Sequence, residues 1–204
     1  VKFTPQSYNS FIDFQEKLHS GLARRRTLAS VGTHDLDKLG DCKVFQYTSK
    51  VPSDIQFVPL NQTRLLDCSN NGLETYYKED RHISKFVPLI SQLPRYPVVL
   101  DEKGTIMSLP PIINSDYSKI SLDTKNIFIE TTAPDHHKAS VLVNQIVCAF
   151  SSYCTEPFTV EAVSVEYQDR VDVTPHMDVR EMTLDVPTVN RRVGINLTGS
   201  SDCA

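Results

Sequence analysis

Two amphipathic helical patterns, one near each end of the chain, bracket a long middle stretch of short β-type runs, and this arrangement most constrains the fold. The first pattern opens at Thr4-Pro5, a hydroxyl at the N-cap and a proline at the first helical position. Tyr8, Phe11, Ile12, Leu18 and Leu22 then recur at helical spacing, which predicts a helix from about 4 to 22. The second runs over 136–152, with Ala139, Leu142, Val143, Ile146, Val147 and Phe150 on one face and Asp135 as N-cap. Between them, Thr27 to Val31, Lys43 to Thr48 and Ile55 to Val58 read as strands, broken by Gly32, Gly40 and Pro52-Ser53-Asp54. Tyr96 to Leu100 and Thr105 to Ser108 flank Asp101-Glu102-Lys103-Gly104, a hairpin signal. Further strands are expected at Lys119 to Leu122 and Asn126 to Glu130, and a closing hairpin at Phe158 to Tyr167 and Arg170 to Val173. Cys68 to Leu93 reads as helical, with Pro88 splitting it into two short helices or a kink. Strands and helices do not alternate regularly, so the expected class is α+β, with mixed or antiparallel sheets and packed helices.

The chain has 204 residues, 40% hydrophobic and 23% charged, which is enough to bury one large core and excludes global disorder. A net charge of −4 argues against wholesale wrapping of nucleic acid, while leaving room for a local basic patch. The five cysteines (Cys42, Cys68, Cys148, Cys154 and Cys203) form no CxxC pair and no zinc spacing, and a reducing compartment fits them best. No apolar run approaches the ~20 residues of a membrane span. Val1 and the polar tail from Thr198 to Asp202 suggest a piece of a longer chain, and the polar region after Thr174 a linker into a following domain.

Neither GxGxxG nor GxxxxGKS is present, so a glycine-rich phosphate loop is unsupported. His136-His137 is read as a solvated first helical turn, since positions three and four residues on hold no further ligand. Arg24-Arg25-Arg26 is read as cations complementing the end of the first helix. Thr33-His34-Asp35 lacks a nucleophile elbow to complete a triad and is read as a strand-end turn. In Met107 to Ser115, Pro110-Pro111 stops a strand and places Ser108 and Asn114 beside a stiff turn, with trans bonds as the default. Glu130 follows the apolar run Ile127-Phe128-Ile129 and shares a face with Phe128. If that face points inward, the carboxylate needs a donor or a ligand.

These segments together resemble the beta subunit of archaeal and eukaryotic cytosolic phenylalanine–tRNA ligase. The resemblance is carried by Phe3 through Asp13, Gly32-Thr33-His34-Asp35-Leu36-Asp37, Pro52-Ser53-Asp54-Ile55, Tyr96-Pro97-Val98, Ser108 through Asn114, and Asn126 through Glu130. Phe158-Thr159-Val160-Glu161 and Arg192-Val193-Gly194-Ile195 extend it almost to the end. It implies an editing domain over 1–173, with 174–204 as linker and start of the following domain. The implied reaction is hydrolysis of tyrosine from mischarged phenylalanine tRNA.

The resemblance places site residues at Ser108, Asn114, Glu130 and Thr132, with Val99 and Lys119 lining the substrate site and Glu130 reading the tyrosine hydroxyl. No metal or cofactor is implied for this domain; ATP and Mg belong to the parent enzyme's charging reaction. The implied partners are the tRNA and an alpha subunit, in a cytoplasmic assembly of two alpha and two beta chains with no membrane contact. Two departures stand out: Ala133-Pro134-Asp135 replaces the family's Gly-Thr-Asp, and Lys119 replaces an arginine. The alternative is a structural docking module of the same synthetase that kept the fold without the hydrolysis. A free-standing amino-acid or nucleic-acid binding module is a third, less favoured possibility.

Overall fold

The computed structural model describes residues 1–157, 159–179 and 181–198. Helix α1 (Pro5–Ser20) starts where the sequence requires: Thr4 accepts from the Ser7 N–H, and Ser7 in turn accepts from the Thr4 backbone. The strands that follow are β1 (Ser30–Asp35), β2 (Gln46–Lys50), β3 (Gln56–Phe57) and β4 (Leu66–Asp67). Helix α2 (Gly72–Tyr77) precedes β5 (Tyr96–Leu100), β6 (Ile106–Leu109), β7 (Ile113–Asn114) and β8 (Ile127–Thr132). Helix α3 (His136–Phe150), capped by Asp135, leads to the hairpin β9 (Val163–Glu166) and β10 (Val171–Thr174), and then to α4 (Val186–Val193).

Two sheets position everything else. Strands β1 and β8 pair antiparallel, and β2, β5, β6 and β7 form an antiparallel sheet in that order. Alternation divides the β1–β8 ribbon. Val31, Ile127 and Ile129 pack with Phe11 and Leu18 of α1 and Leu142, Ile146 and Phe150 of α3 in one core. The opposite residues, Ser30, Gly32 and His34 paired with Thr132, Glu130 and Phe128, face away from that core. A second core packs Tyr96, Val98 and Leu100 of β5 against Leu73 and Tyr77 of α2 and the β3–β4 arm. A small third cluster of Leu39, Val99 and Met107, joined by Phe45 and Phe128, sits between the two sheets. Met107 reaches it because Leu100 pairs with Ile106 and Val99 with Ser108, leaving Met107 as the extra residue of a bulge.

The free edge of β1 is closed by side chains and loops rather than by another strand. His19 Nε2 accepts from the Val31 N–H at 2.9 Å, and Gln15 donates to the Val31 carbonyl at 3.1 Å. Further along, the Asp35 N–H donates to the Ser118 carbonyl at 2.8 Å.

Several expectations change. The first strand starts at Ser30 instead of Thr27 and runs on through Gly32, so Thr33-His34-Asp35 closes a fully buried strand, at whose end Asp35 accepts from the Asp37 N–H at 3.0 Å. A left-handed turn occupies the preceding residues, with positive φ at Arg24, Arg25 and Arg26. The arginines lie beyond α1, which ends at Ser20, and Arg26 returns to it through the His19 carbonyl. Between Cys68 and Leu93 only Gly72–Tyr77 is α-helical, because Asp80, Pro88 and the Ser-rich turns favour local side-chain bonds and 3-10 geometry. Lys119–Leu122 forms no strand: the Lys119 N–H turns back to the Asp116 carbonyl, and the Ser121 N–H is taken by Thr124. The closing hairpin begins at Val163; Phe158, its expected first residue, lies outside the described residues. After Thr174, the expected linker contains α4, capped by Asp185 and stopped by Gly194 at φ 79°. The Pro110-Pro111 bond is cis, against the trans expectation.

Candidate functional site

Residues that the sequence singled out meet across the gap between the two sheets. Tyr47 pairs with Val99, Val99 with Ser108, and Ser108 with Asn114, so these four form one row across β2, β5, β6 and β7. From the facing ribbon, Glu130 reaches this row, and Ser108 Oγ donates to Glu130 Oε1 at 2.9 Å. Ser108 is 1% exposed and the Glu130 side chain 9% exposed, so this is an interior bond. Apolar Val99 and Phe128 stand beside it, with Phe45 stacked on Phe128 at 4.1 Å between ring centroids.

His34 completes the polar end of the gap. Its Nδ1 bonds Ser118 Oγ at 2.7 Å, and its Nε2 lies 3.8 Å from Glu130 Oε1. Glu130 Oε2 and His34 Nε2 are both buried without a hydrogen-bond partner among the described residues. Buried polar atoms are seldom left so, because desolvation without a replacement bond costs about 1–3 kcal/mol. The arrangement offers an acceptor and an imidazole nitrogen to one small polar group. Gly32 makes room for the Glu130 carboxylate itself: opposite Glu130 in the ladder, a Cβ at residue 32 would lie 2.2 Å from Glu130 Oε1 and 3.0 Å from His34 Nε2.

The remaining candidates lie close by but in different surroundings. Asn114 and Lys119 line a cavity of about 540 Å3 between α1 and the outer edge of β1, with Tyr8, Asn9, Asp13 and Thr33. Asn114 is the hinge between the two places. It pairs with Ser108 on one side, and its Nδ2 donates to the Thr33 carbonyl at 3.5 Å on the other. Lys119 Nζ stands 3.9 Å from Asp116 Oδ1, a half-exposed cation facing open space. Thr132 is bonded by its hydroxyl to Ser30 Oγ at 2.9 Å, two ladder pairs beyond Glu130 and so on the same face. Val99, Ser108 and Glu130 thus share one interior gap, Asn114 and Lys119 share the cavity, and Thr132 flanks the gap through Ser30. After Thr132, Ala133 packs on the helical core and Pro134 is exposed, so the departures from the expected Gly-Thr fall outside the gap.

Sequence reasoning passed over His34 and Gly32. The signal was present: reading residues 30–35 as a strand puts 32 and 34 on one face, together with the partners of Glu130. Elsewhere, His136 does sit in an exposed first turn, where its Nε2 bonds Asp172 at 2.9 Å, and His176 meets the other oxygen of Asp172 at 3.0 Å. Among the described residues no group of three or more His, Cys, Asp or Glu side chains is arranged to hold a metal ion, and no helix is long and apolar enough to cross a membrane. Cys42, Cys68, Cys148 and Cys154 are unpaired thiols.

Comparison with known proteins extends this geometry. Residues 2–144 match the B3/4 domain family. The chain is 46% identical over 199 residues to the phenylalanine–tRNA ligase beta subunit of Caenorhabditis elegans, covering 97% of this chain and 33% of that protein. With the same subunit of Dictyostelium discoideum the identity is 44% over 201 residues, covering 97% and 32%. The chain therefore spans about a third of the length of these curated relatives. The crystal structure of an N-terminal fragment of the phenylalanyl-tRNA synthetase beta subunit from Pyrococcus horikoshii superposes with a TM-score of 0.82 at 26% identity, covering 97% of this chain and 54% of that one. The likeness runs through the β1–β8 ribbon and the four-stranded sheet alike, and on it the chain belongs to the B3/4 domain family, in the form found in phenylalanine–tRNA ligase beta subunits.

Proposed function

We propose that the chain is the editing domain of a phenylalanine–tRNA ligase, hydrolysing the ester that joins tyrosine to phenylalanine tRNA. The observation that carries this reading is the Glu130 carboxylate, buried between the sheets, with one oxygen held by Ser108 and the other without a hydrogen-bond partner among the described residues. A phenol entering past Val99 and Phe128 donates its proton to Glu130 Oε2 and accepts from His34 Nε2, satisfying both atoms together. Phenylalanine offers neither bond, and leaving a polar pair unpaired discriminates far more strongly than an apolar pocket, which rejects an added hydroxyl only about 100-fold. Ser108 fixes the carboxylate, and Thr132 braces the same ribbon face through Ser30.

Asn114 and Lys119 face the cavity, where the ester and the terminal tRNA phosphates belong. Lys119 supplies a single charge there and lacks the bidentate fork of the arginine it replaces. A water adds to the ester carbonyl, the bond to the terminal ribose oxygen breaks, and that oxygen takes up the proton. The tRNA's own neighbouring hydroxyl is the group proposed to orient the water.

The unit is assigned to residues 1–173, with 174–204 leading into the next part of the subunit; the B3/4 match at 2–144 falls inside the first span. Aminoacylation itself, with ATP and Mg, is assigned to the alpha subunit of a cytoplasmic complex of two alpha and two beta chains.

The close burial of Ser108 favours a second reading, in which its bond to Glu130 serves only to join the sheets of a docking module. Hydrolysis of tyrosyl-tRNA by the intact ligase separates the two. Glu130→Ala is expected to slow release of tyrosine by roughly 100-fold or more, with phenylalanine charging retained. Undiminished release of tyrosine by this variant would leave only the docking role.

A further inference from the structure

We infer that Arg26 is a positioning residue for this site, clamping the proline bend that joins the strands of Ser108 and Asn114. The inference rests on the editing reading above. Strands β6 and β7 end in the pairs Ser108↔Asn114 and Leu109↔Ile113, and only residues 110–112 connect them. Within that connection the Ile112 N–H bonds the Leu109 carbonyl at 2.8 Å, while Pro110 and Pro111 have no N–H to offer. The carbonyls of Pro111 and Ile112 are taken instead by one guanidinium nitrogen: Arg26 Nη1 donates to them at 3.3 and 2.8 Å.

The guanidinium has two further contacts, while its buried Nε has no hydrogen-bond partner among the described residues. Its Nη2 lies 3.5 Å from Glu16 on α1, and Cζ sits 4.6 Å from the centroid of the Phe86 ring. The Arg26 N–H bonds the His19 carbonyl at 3.2 Å, which ties the clamp to the end of α1. The side chain is delivered by Arg24, Arg25 and Arg26 running at φ 45°, 55° and 64°, a conformation L-residues avoid unless their surroundings enforce it. Arg24 and Arg25 are exposed, and Arg26 alone turns inward, its side chain 13% exposed. A charge so enclosed needs well-made partners, and here those partners are largely the bend itself. Residue 26 thus fixes where the bend sits, and the bend fixes the spacing of Ser108, which holds Glu130, and of Asn114, which lines the cavity.

The test compares Arg26→Met and Arg26→Lys with wild type in the intact ligase, by two measurements. Amide hydrogen exchange over residues 109–115 reads the clamp directly. It should quicken by roughly ten-fold or more in Arg26→Met and by less in Arg26→Lys, which keeps a donor of shorter reach. The preference for hydrolysing tyrosyl-tRNA over phenylalanyl-tRNA reads the consequence. This ratio should fall roughly ten- to hundred-fold in Arg26→Met, with partial rescue in Arg26→Lys. Mere loss of folded protein lowers both rates together and leaves the ratio where it was.

Unchanged exchange at the bend overturns the clamp whatever the rates do. Faster exchange with an intact ratio overturns the positioning role. A wild-type enzyme with no preference for the tyrosyl ester overturns the editing reading and this role with it, an outcome recognised without any variant at residue 26.

Discussion

Gly32 and Glu130 face each other across a ladder in which the glycine has no side chain and the glutamate is folded over the space this leaves. The atom that a new methyl would meet is the end of a flexible side chain, so the protein can yield by moving the carboxylate away. Gly32→Ala is accordingly expected to cost little stability, about 1–2 kcal/mol, and to lower tyrosyl-tRNA hydrolysis by at least ~10-fold by displacing the group that reads the hydroxyl. Denaturant unfolding and the hydrolysis rate, measured on the same preparation, check the two halves. A variant that hydrolyses normally would mean that Glu130 is not read in place. Ser108, Asn114 and Glu130 stand beside marked features of the sequence, the double proline or the end of an apolar run, but their roles, and the choice of Lys119 altogether, come from the family resemblance. His34 could not be assigned in the same way. Its role depends on Ser118, 84 residues away, holding one ring nitrogen so that the other faces Glu130.

Elements were legible where local chemistry suffices. Helices α1 and α3 begin at their hydroxyl and carboxylate caps, and the β5–β6 hairpin turns where Asp101 Oδ1 accepts from the N–H groups of Lys103 and Thr105 ahead of Gly104 at φ 81°. The region from 68 to 93 was not, because its apolar spacing suits a helix while Asn70, Asn71 and Asp80 bend the backbone through positive φ and side-chain turns. Helix α2 is kept in place by an approach that glycine alone permits: a Cβ on Gly72 would lie 1.8 Å from the backbone oxygen of Asp67. Here the opposing atom belongs to the main chain and cannot swing aside. Gly72→Ala should therefore destabilise the protein by roughly 2–3 kcal/mol, more than Gly32→Ala, and a chemical denaturation series comparing the two will show the order. The reverse order would argue that the α2 arm adapts more readily than its packing suggests.

At the scale of the whole molecule, a buried histidine ties α1 to the edge of β1. His19 is 4% exposed and accepts the Val31 N–H, a role that only the neutral ring can fill. Burial, and then the positive charge of Arg26, push its pKa from 6.5 down to about 3. Above about pH 6.5 the ring is neutral in both the folded and the unfolded chain, so the contribution is complete. As the pH falls towards 3, the unfolded chain takes up a proton that the folded one refuses, and stability declines, by up to several kcal/mol. Unfolding free energies measured from pH 7 to pH 4 should drop steeply for the wild type and less so for His19→Gln, which keeps an acceptor without the titration. Parallel curves would place the acid sensitivity elsewhere.

The sequence by itself determined the α+β class, the caps and faces of the long helices, the hairpin turns, and the proline bend with its neighbouring serine and asparagine, since each follows from contacts a few residues apart. Only the tertiary structure decided that Glu130 meets Ser108, that Arg26 grips the bend, and that Asn114 stands between the interior gap and the cavity. Those meetings join residues 22 to 86 positions apart, and packing between separate sheets and helices, which no local periodicity encodes, brings them together.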